Sequence, residues 1–304
     1  MGRKRILIIT SSIDETASYI VSRYSNVADF FRVDVDNFGK YRFRVDNKGW
    51  SISDNYSIVA STDVYSIYYR KPLLPNINEY SQEYAFVAQK DIVAFINGLA
   101  DSFGGRVLSR PYLLRKAENK VFQLIVAQEF NFKLPGSIIT NNISDLENFF
   151  NAKSIIKPIS IGKVKFASKC NLHTTAILKK YDCDICVTPV YVQKYIKKKY
   201  EVRITIIDNS CFAVAIKSVN KVDWRISVLE NEYWQIECPE SIELQCHNIL
   251  KKNNLIFGAF DFIVDPVDNW FFLEFNPNGQ WLWLEKILGV NISGNIIKYL
   301  SGIR

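Results

Sequence analysis

The chain has 304 residues, 48% of them hydrophobic and 14% aromatic, enough for buried cores in two or three lobes. A formal net charge of +7 and a pI near 8.9 suit an anionic ligand or partner, but no dense basic stripe or known module marks a nucleic-acid binder, and none is expected. No apolar run approaches a membrane span, and only four consecutive apolar residues follow the basic start, too few for a signal-peptide core, so no membrane partner and a cytoplasmic location are expected.

Arg5 to Thr10 reads as the first strand, followed by a loop and helix from Ser11 to Tyr24. Strand-like runs recur at Phe31–Val35, Tyr41–Val45 and Val64–Tyr69, and a long helix is predicted from Tyr80 to Leu99. Alternating strands and helices indicate an α/β lobe, which carries neither a G-x-G-x-x-G nor a Walker A pattern. Arg70 and Lys71 end a strand just before Pro72, either as a carboxylate or phosphate contact or as a solvated strand end.

The pattern changes near residue 112, where one strong helix, Lys116 to Phe130, is predicted with Lys120 in its first turn or two. Next come a strand, Ser154–Lys157, ending at Lys157-Pro158, and another, Val190–Ile196, that runs into the basic turn Lys194 to Lys199. That turn reads as a solvated connection or as part of a phosphate or peptide groove. Tyr200 to Ile207 alternates so that Glu201 and Arg203 share one face. A strand from Phe212 to Ser218, the run Asp223-Trp224-Arg225 and a helix from Ser241 to Lys252 follow. Of the six cysteines, scattered in a way that fits a reducing compartment, Cys183 and Cys186 form a C-x-x-C. No second pair follows at zinc-site spacing, and His173 and His247 assemble no ligand set, so that pair reads as structural or incidental.

Two β-rich runs near the C-terminus, Phe257–Asp265 and Trp270–Asn276, flank a turn cluster and read as a hairpin with a four-residue loop. If Asp265 and Trp270 are its last paired residues, Asp261 faces Glu274, and period two puts Asn276 on the same face. Ile263 and Phe272 then lie beside the acids, with Phe271, Leu273 and Phe275 on the opposite face. Opposed carboxylates repel unless one is protonated or a cation lies between them. Two carboxylates and an amide oxygen form a hard site of the kind that holds magnesium with phosphates; the alternative is an ordinary amphipathic hairpin.

The order of a helix lysine, a strand Lys-Pro, a strand ending Gln-x-Tyr-Ile, Glu-x-Arg, then Asp and Glu-x-Asn resembles the ATP-grasp ligase superfamily over roughly residues 113 to 290. Within it, Arg70-Lys71-Pro72, Asp223-Trp224-Arg225 and the run from Phe262 through Glu274 and Asn276 to Glu285 resemble the microviridin-type peptide maturases, the graspetide synthetases. The resemblance implies an α/β (α+β lobes) ATP-grasp fold with a small N-terminal α/β domain, residues 1–112, a central subdomain, 113–196, and a C-terminal subdomain with the magnesium site, 197–304.

It also implies site roles. Lys120 and Lys157 would hold ATP phosphates, Gln193, Lys194, Tyr195 and Ile196 would border adenine, and Glu201 would accept from the ribose. Asp261, Glu274 and Asn276 would bind Mg2+. Arg203 would lie near the γ-phosphate or acyl phosphate, and Arg225 near the substrate carboxylate. The expected enzyme is an ADP-forming ligase that activates Asp or Glu side chains of a precursor peptide and joins them to Thr, Ser or Lys side chains as esters or amides. The alternative is a carboxylate–amine ligase that adds a separate amine. No Ser-His-Asp or Cys-His arrangement is evident, so the attacking group is expected to belong to the substrate. The resemblance further implies a homodimer and a leader segment read by the central lobe, for which Gly162 to Thr175 is the candidate surface, or else a flap over the nucleotide.

Overall fold

The first strand, Lys4–Thr10, is apolar on both faces because both are covered. It lies inside a parallel sheet of spatial order Ala28–Asp34, Lys4–Thr10, Ser66–Tyr69, Arg106–Leu108. Ile6 and Ile8 point to a core shared with helix Glu15–Tyr24 and with the chain's last helix, Ile292–Ser301. Leu7 and Ile9 point the other way, to helix Gln82–Ser102 and to a small antiparallel sheet that supplies Trp50 and Ile52. The C-terminus thus returns to complete the N-terminal lobe.

The computed structural model describes residues 2–157, 159–160, 163–165, 171–173, 176–177 and 187–303. Cys183 and Cys186 lie outside the described residues, as do Gly162, Phe166 and Thr175 of the candidate leader surface. Within that segment Lys163–Lys165 and Asn171–His173 pair antiparallel. No helix among the described residues is long and apolar enough to cross a membrane.

Where one helix was predicted from Lys116 to Phe130 there are two, Pro111–Ala117 and Lys120–Glu129. Asn119 causes the break: its backbone is extended, and its side chain accepts from the N–H groups of Val121 and Phe122. Asn is a strong N-cap because its carbonyl oxygen satisfies first-turn donors that have no partner inside the helix. Lys120 therefore begins a helix.

A central antiparallel sheet joins Ala176–Ile177, Ser154–Lys157, Val190–Lys194 and Ser137–Thr140 in that order. A five-stranded antiparallel sheet follows in the order Glu232–Ile236, Ser210–Lys217, Tyr200–Ile207, Phe257–Val264, Trp270–Asn276. One face carries Phe260, Phe262, Phe272 and Phe275, which pack with Val126 of the Lys120–Glu129 helix and with Cys246 and Leu250 of helix Glu240–Lys252. The other carries Glu201, Arg203 and Asp261.

The hairpin register differs from the predicted one in two compensating ways. The last ladder pair is Val264 with Trp270, one residue short, but a bulge between Asp261 and Phe262 restores Asp261 opposite Glu274. The bulge also moves Phe272 to the core face, beside Phe262. Leu273, expected on that face, lines the site cleft with Glu274. An extra residue in one strand shifts the side-chain alternation beyond it.

Asn119→Ala should lower the unfolding free energy by about 1 kcal/mol, the usual worth of an N-cap. Chemical denaturation is the check, and an unchanged midpoint at unchanged slope would remove the cap from the account.

Candidate active site

Asp261 and Glu274 are paired across the hairpin, and each meets a cation from another element. Arg203, opposite Asp261 on the neighbouring strand, brings its Nε within 2.8 Å of Asp261 Oδ1. Lys120 Nζ reaches Glu274 from the start of its helix. The Asn276 amide nitrogen is 3.5 Å from a carboxylate oxygen of each acid, at the outer edge of hydrogen bonding. Burial works against ionisation of Glu274, but Lys120 and Lys157 outweigh it and hold the carboxyl below its usual range. Burial raises Asp261, opposed by Arg203 and reinforced by Glu274. The two acids titrate as a pair, with the charge favoured on Glu274.

The strand after the hairpin bends away through the turn Asn276–Gly279, closed by Gly279 N–H to Asn276 O at 3.2 Å. A Cβ on Gly279 would stand 2.5 Å from Ala259 Cβ and 3.4 Å from Arg203 Nη1, so only glycine lets the turn pack against the strands that carry the acids.

The central sheet supplies the opposite wall. Lys157 places its Nζ 4.6 Å from the ring centre of Tyr191. Burial pushes this amine down to about 8, with Glu274 opposing and Lys120 adding to the shift. Gln193 is buried; its amide nitrogen donates to Tyr191 Oη at 2.7 Å and to Ser137 Oγ at 3.1 Å, while its Oε1 has no hydrogen-bond partner among the described residues. Glu201 accepts from Lys198 Nζ at 2.8 Å, and burial nevertheless raises its carboxyl to about 7. Arg225 is gripped by Asp223 through two parallel bonds, Nε to Oδ1 and Nη2 to Oδ2, both 2.8 Å, which raises its already high pKa.

Lys157, Gln193, Glu201, Arg225, Asp261 and Glu274 line one cleft of about 90 Å³. Lys120 enters beside it through its contact with Glu274. Lys194 is exposed and lays its stem against Gly136, and its backbone N–H donates to Gly136 O at 2.8 Å. Tyr195 donates its N–H to Lys153 O at 2.8 Å, and Lys153 Nζ stands 4.0 Å from the Tyr195 ring centre. These contacts anchor the end of the central strand rather than bring its side chains to the acids. Of the two readings of Arg70 the structure shows the carboxylate contact, made inside the chain and not with a solvated strand end: the residue is buried, 3.1 Å from Asp14 Oδ2, and donates to Thr16 Oγ1 and Gln280.

Two participants were not singled out from sequence. Tyr191 lies two residues before Gln193, hence on the same strand face, a spacing that could have marked it. Asp223, read only as part of a motif, is the bidentate partner that orients Arg225 and also caps the turn beginning at Trp224.

No family model and no curated protein matches the chain. Among solved structures, the macrocyclase MdnC from Microcystis aeruginosa MRC, bound with precursor peptide MdnA, matches with a TM-score of 0.88 at 25% identity, over 97% of this chain and 98% of that one. A Chryseobacterium gregarium RiPP-associated ATP-grasp ligase, in complex with ADP and a leader and core peptide, matches at 0.85 and 23%, over 99% and 96%. The ATP-grasp ligase PsnB, complexed with minimal precursor, Mg and ADP, matches at 0.77 and 19%, over 99% and 98%. The fold is that of the ATP-grasp ligases.

The raised Glu201 carboxyl makes stability pH-dependent. Its folded pKa, about 7, exceeds the ordinary 4.5, so the stability it contributes is full below 4.5 and is lost as pH rises through 7. Glu201→Gln should remove this fall, seen as a flatter curve of unfolding free energy between those pH values than in the parent chain. Parallel curves would mean that Glu201 is not the titrating group.

Proposed function

We propose that this chain, an ATP-grasp ligase of the graspetide type, closes side-chain rings in a ribosomally made precursor peptide, driven by conversion of ATP to ADP and phosphate. The observation that carries the reading is the convergence of Lys120, Lys157, Arg203 and Arg225 on two directly opposed carboxylates, Asp261 and Glu274. Cations gathered from four separate elements suit phosphate and carboxylate chemistry better than they suit stability.

The residues fit magnesium. Asp261 and Glu274 offer hard oxygen, and the Asn276 amide, turned over, would add its own. Arg203 Nε lies close to Asp261 without hydrogen-bond alignment and has no hydrogen-bond partner among the described residues, so a donor remains at the site for an anion. Magnesium held there would neutralise charge on nucleotide phosphates during transfer.

In this reading Lys120 and Lys157 hold the phosphates; Lys157, with its pKa near 8, remains mostly protonated at neutral pH. Gln193 turns its unpartnered Oε1 toward the adenine side, Lys194, Tyr195 and Ile196 shape that edge with backbone groups, and Glu201 accepts from the ribose. Arg225, held rigid by Asp223, keeps further N–H donors for the peptide carboxylate, and Arg203 steadies the group being transferred.

A carboxylate is a poor acylating agent. One of its oxygens therefore attacks the γ-phosphorus of ATP, ADP leaves, and an acyl phosphate forms. A hydroxyl or amine of the same peptide then attacks the acyl carbon, gives up its proton and expels phosphate. Holding both groups on one chain makes the second step effectively intramolecular, worth up to about 7–11 kcal/mol in ideal geometry. Water must be kept out, because it would hydrolyse the acyl phosphate. The paired strands Lys163–Lys165 and Asn171–His173 offer an edge to which an extended leader could add. A homodimer located in the cytoplasm completes the proposal.

Intact mass of the precursor peptide after incubation with the chain, ATP and magnesium tests it. Successive losses of one water are expected; a gain of a residue mass would replace cyclisation by ligation of a separate amine. Glu274→Gln should stay folded yet lose product formation by roughly a hundredfold or more, as expected when several kcal/mol of charge stabilisation disappears. Near-normal turnover would overturn the metal assignment. Arg225→Ala should impair peptide modification more than nucleotide binding, and equal losses would remove Arg225 from the peptide site.

A further inference from the structure

On the core-facing side of the five-stranded sheet, opposite the face that bears Arg203 and Asp261, two thiols and a carboxylate come together. The sulfurs of Cys211 and Cys238 and a Glu243 oxygen all lie within 4.8 Å of one another. Ala213 pairs with Ile236, and continuing that register by two residues puts Cys238 across from Cys211. Such cross-strand neighbours have Cβ atoms about 4.5–5.5 Å apart. Pro239 then turns the chain into helix Glu240–Lys252, whose first turn carries Glu243 back over the thiols. One turn further on, His247 Nε2 stands 3.6 Å from Glu243 Oε1.

We propose that Cys211, Cys238 and Glu243 form a zinc site, with water in the fourth position, that fastens helix Glu240–Lys252 to the end of the sheet. Zinc bonds sulfur at about 2.3 Å and carboxylate oxygen or imidazole nitrogen at about 2.0–2.2 Å in a tetrahedron, which sets ligand atoms roughly 3.3–3.8 Å apart. The three ligand atoms, all within 4.8 Å of one another, stand about an ångström wider than that at most. Two thiolates and a carboxylate suit a borderline-soft ion, whereas the all-oxygen set at Asp261 and Glu274 suits magnesium, so one chain would hold two sites of opposite preference. Cys211 and Cys238 pack against the Phe260, Phe262 and Phe275 core on one side, while all three clustered groups keep partial exposure. The core wall shields the ligands and the exposed side lets an ion enter and thiol protons leave.

The test uses the full chain, reduced and stripped of metal, titrated with Zn2+ against a chromophoric chelator and with Co2+ for its thiolate-to-metal absorption bands. One tight equivalent is expected, with thiolate bands, and zinc should raise Tm. Both Cys183→Ser/Cys186→Ser and Asp261→Asn should retain it, and Cys238→Ser should weaken it at least a hundredfold. If Cys238→Ser fails to fold, Glu243→Gln serves instead and should weaken zinc while leaving the cobalt thiolate bands. Unaltered affinity in the foldable variant would overturn the proposal. So would loss of binding on removing Cys183 and Cys186, or peptide mapping that finds Cys211 and Cys238 joined as a disulfide.

Discussion

Asp261 and Glu274 face each other across a hairpin, and every other feature of the site answers their repulsion. Two carboxylates so placed and largely shielded from water need positive charge nearby. The chain brings it from as far apart as Lys120 on a helix, Lys157 on the central sheet and Arg203 on the adjoining strand. A buried ion network adds little to stability, because desolvation consumes most of its attraction. In the function proposed above its use is readiness: lysines already beside a carboxylate need travel little to meet a phosphate.

Small backbone devices aim these groups. The Asn119 cap starts a new helix at Lys120, and the bulge beside Asp261 turns Phe272 into the core while Leu273 and Glu274 line the cleft. Gly279 lets the following turn approach the Arg203 strand closely. Each is a single-residue departure from a regular element, and each lies within reach of the acids.

Regular elements with strong apolar periodicity were legible from sequence: the strand at Lys4–Thr10, helix Glu240–Lys252 and both hairpin strands lie within a few residues of their expected places. Asp261 opposite Glu274 was also legible, although through a register that counted one pair too many and missed one bulge. The break at Asn119 was hidden because the flanking residues all favour helix, so a competing cap looked like an ordinary polar helix position. For Arg70 a carboxylate contact was one of two readings and its partner, Asp14, could not be named because it lies far off in sequence; Cys211 with Cys238 went unnoticed because cross-strand pairing, not sequence spacing, brings them together. The last helix, Ile292–Ser301, was not foreseen either; its apolar residues fill the core of a sheet whose strands come from the other end of the chain.

That last helix has a mechanical consequence. Ile296 and Leu300 share one apolar cluster with Ile6 and Ile8 of the first sheet and with Ile207 and Phe257 of the five-stranded sheet. Separating those two sheets would wet a continuous oily seam. Among the described residues the central sheet leans on a far smaller cluster, Leu146, Phe149 and Val192, and it bears Lys157 and Gln193. The cleft of about 90 Å³ falls well short of the ~300 Å³ at which small-molecule pockets begin. Of the walls around the acids, the one that carries Lys157 and Gln193 is therefore held by the least buried apolar surface among the described residues, and parting the cleft there would wet the least of it.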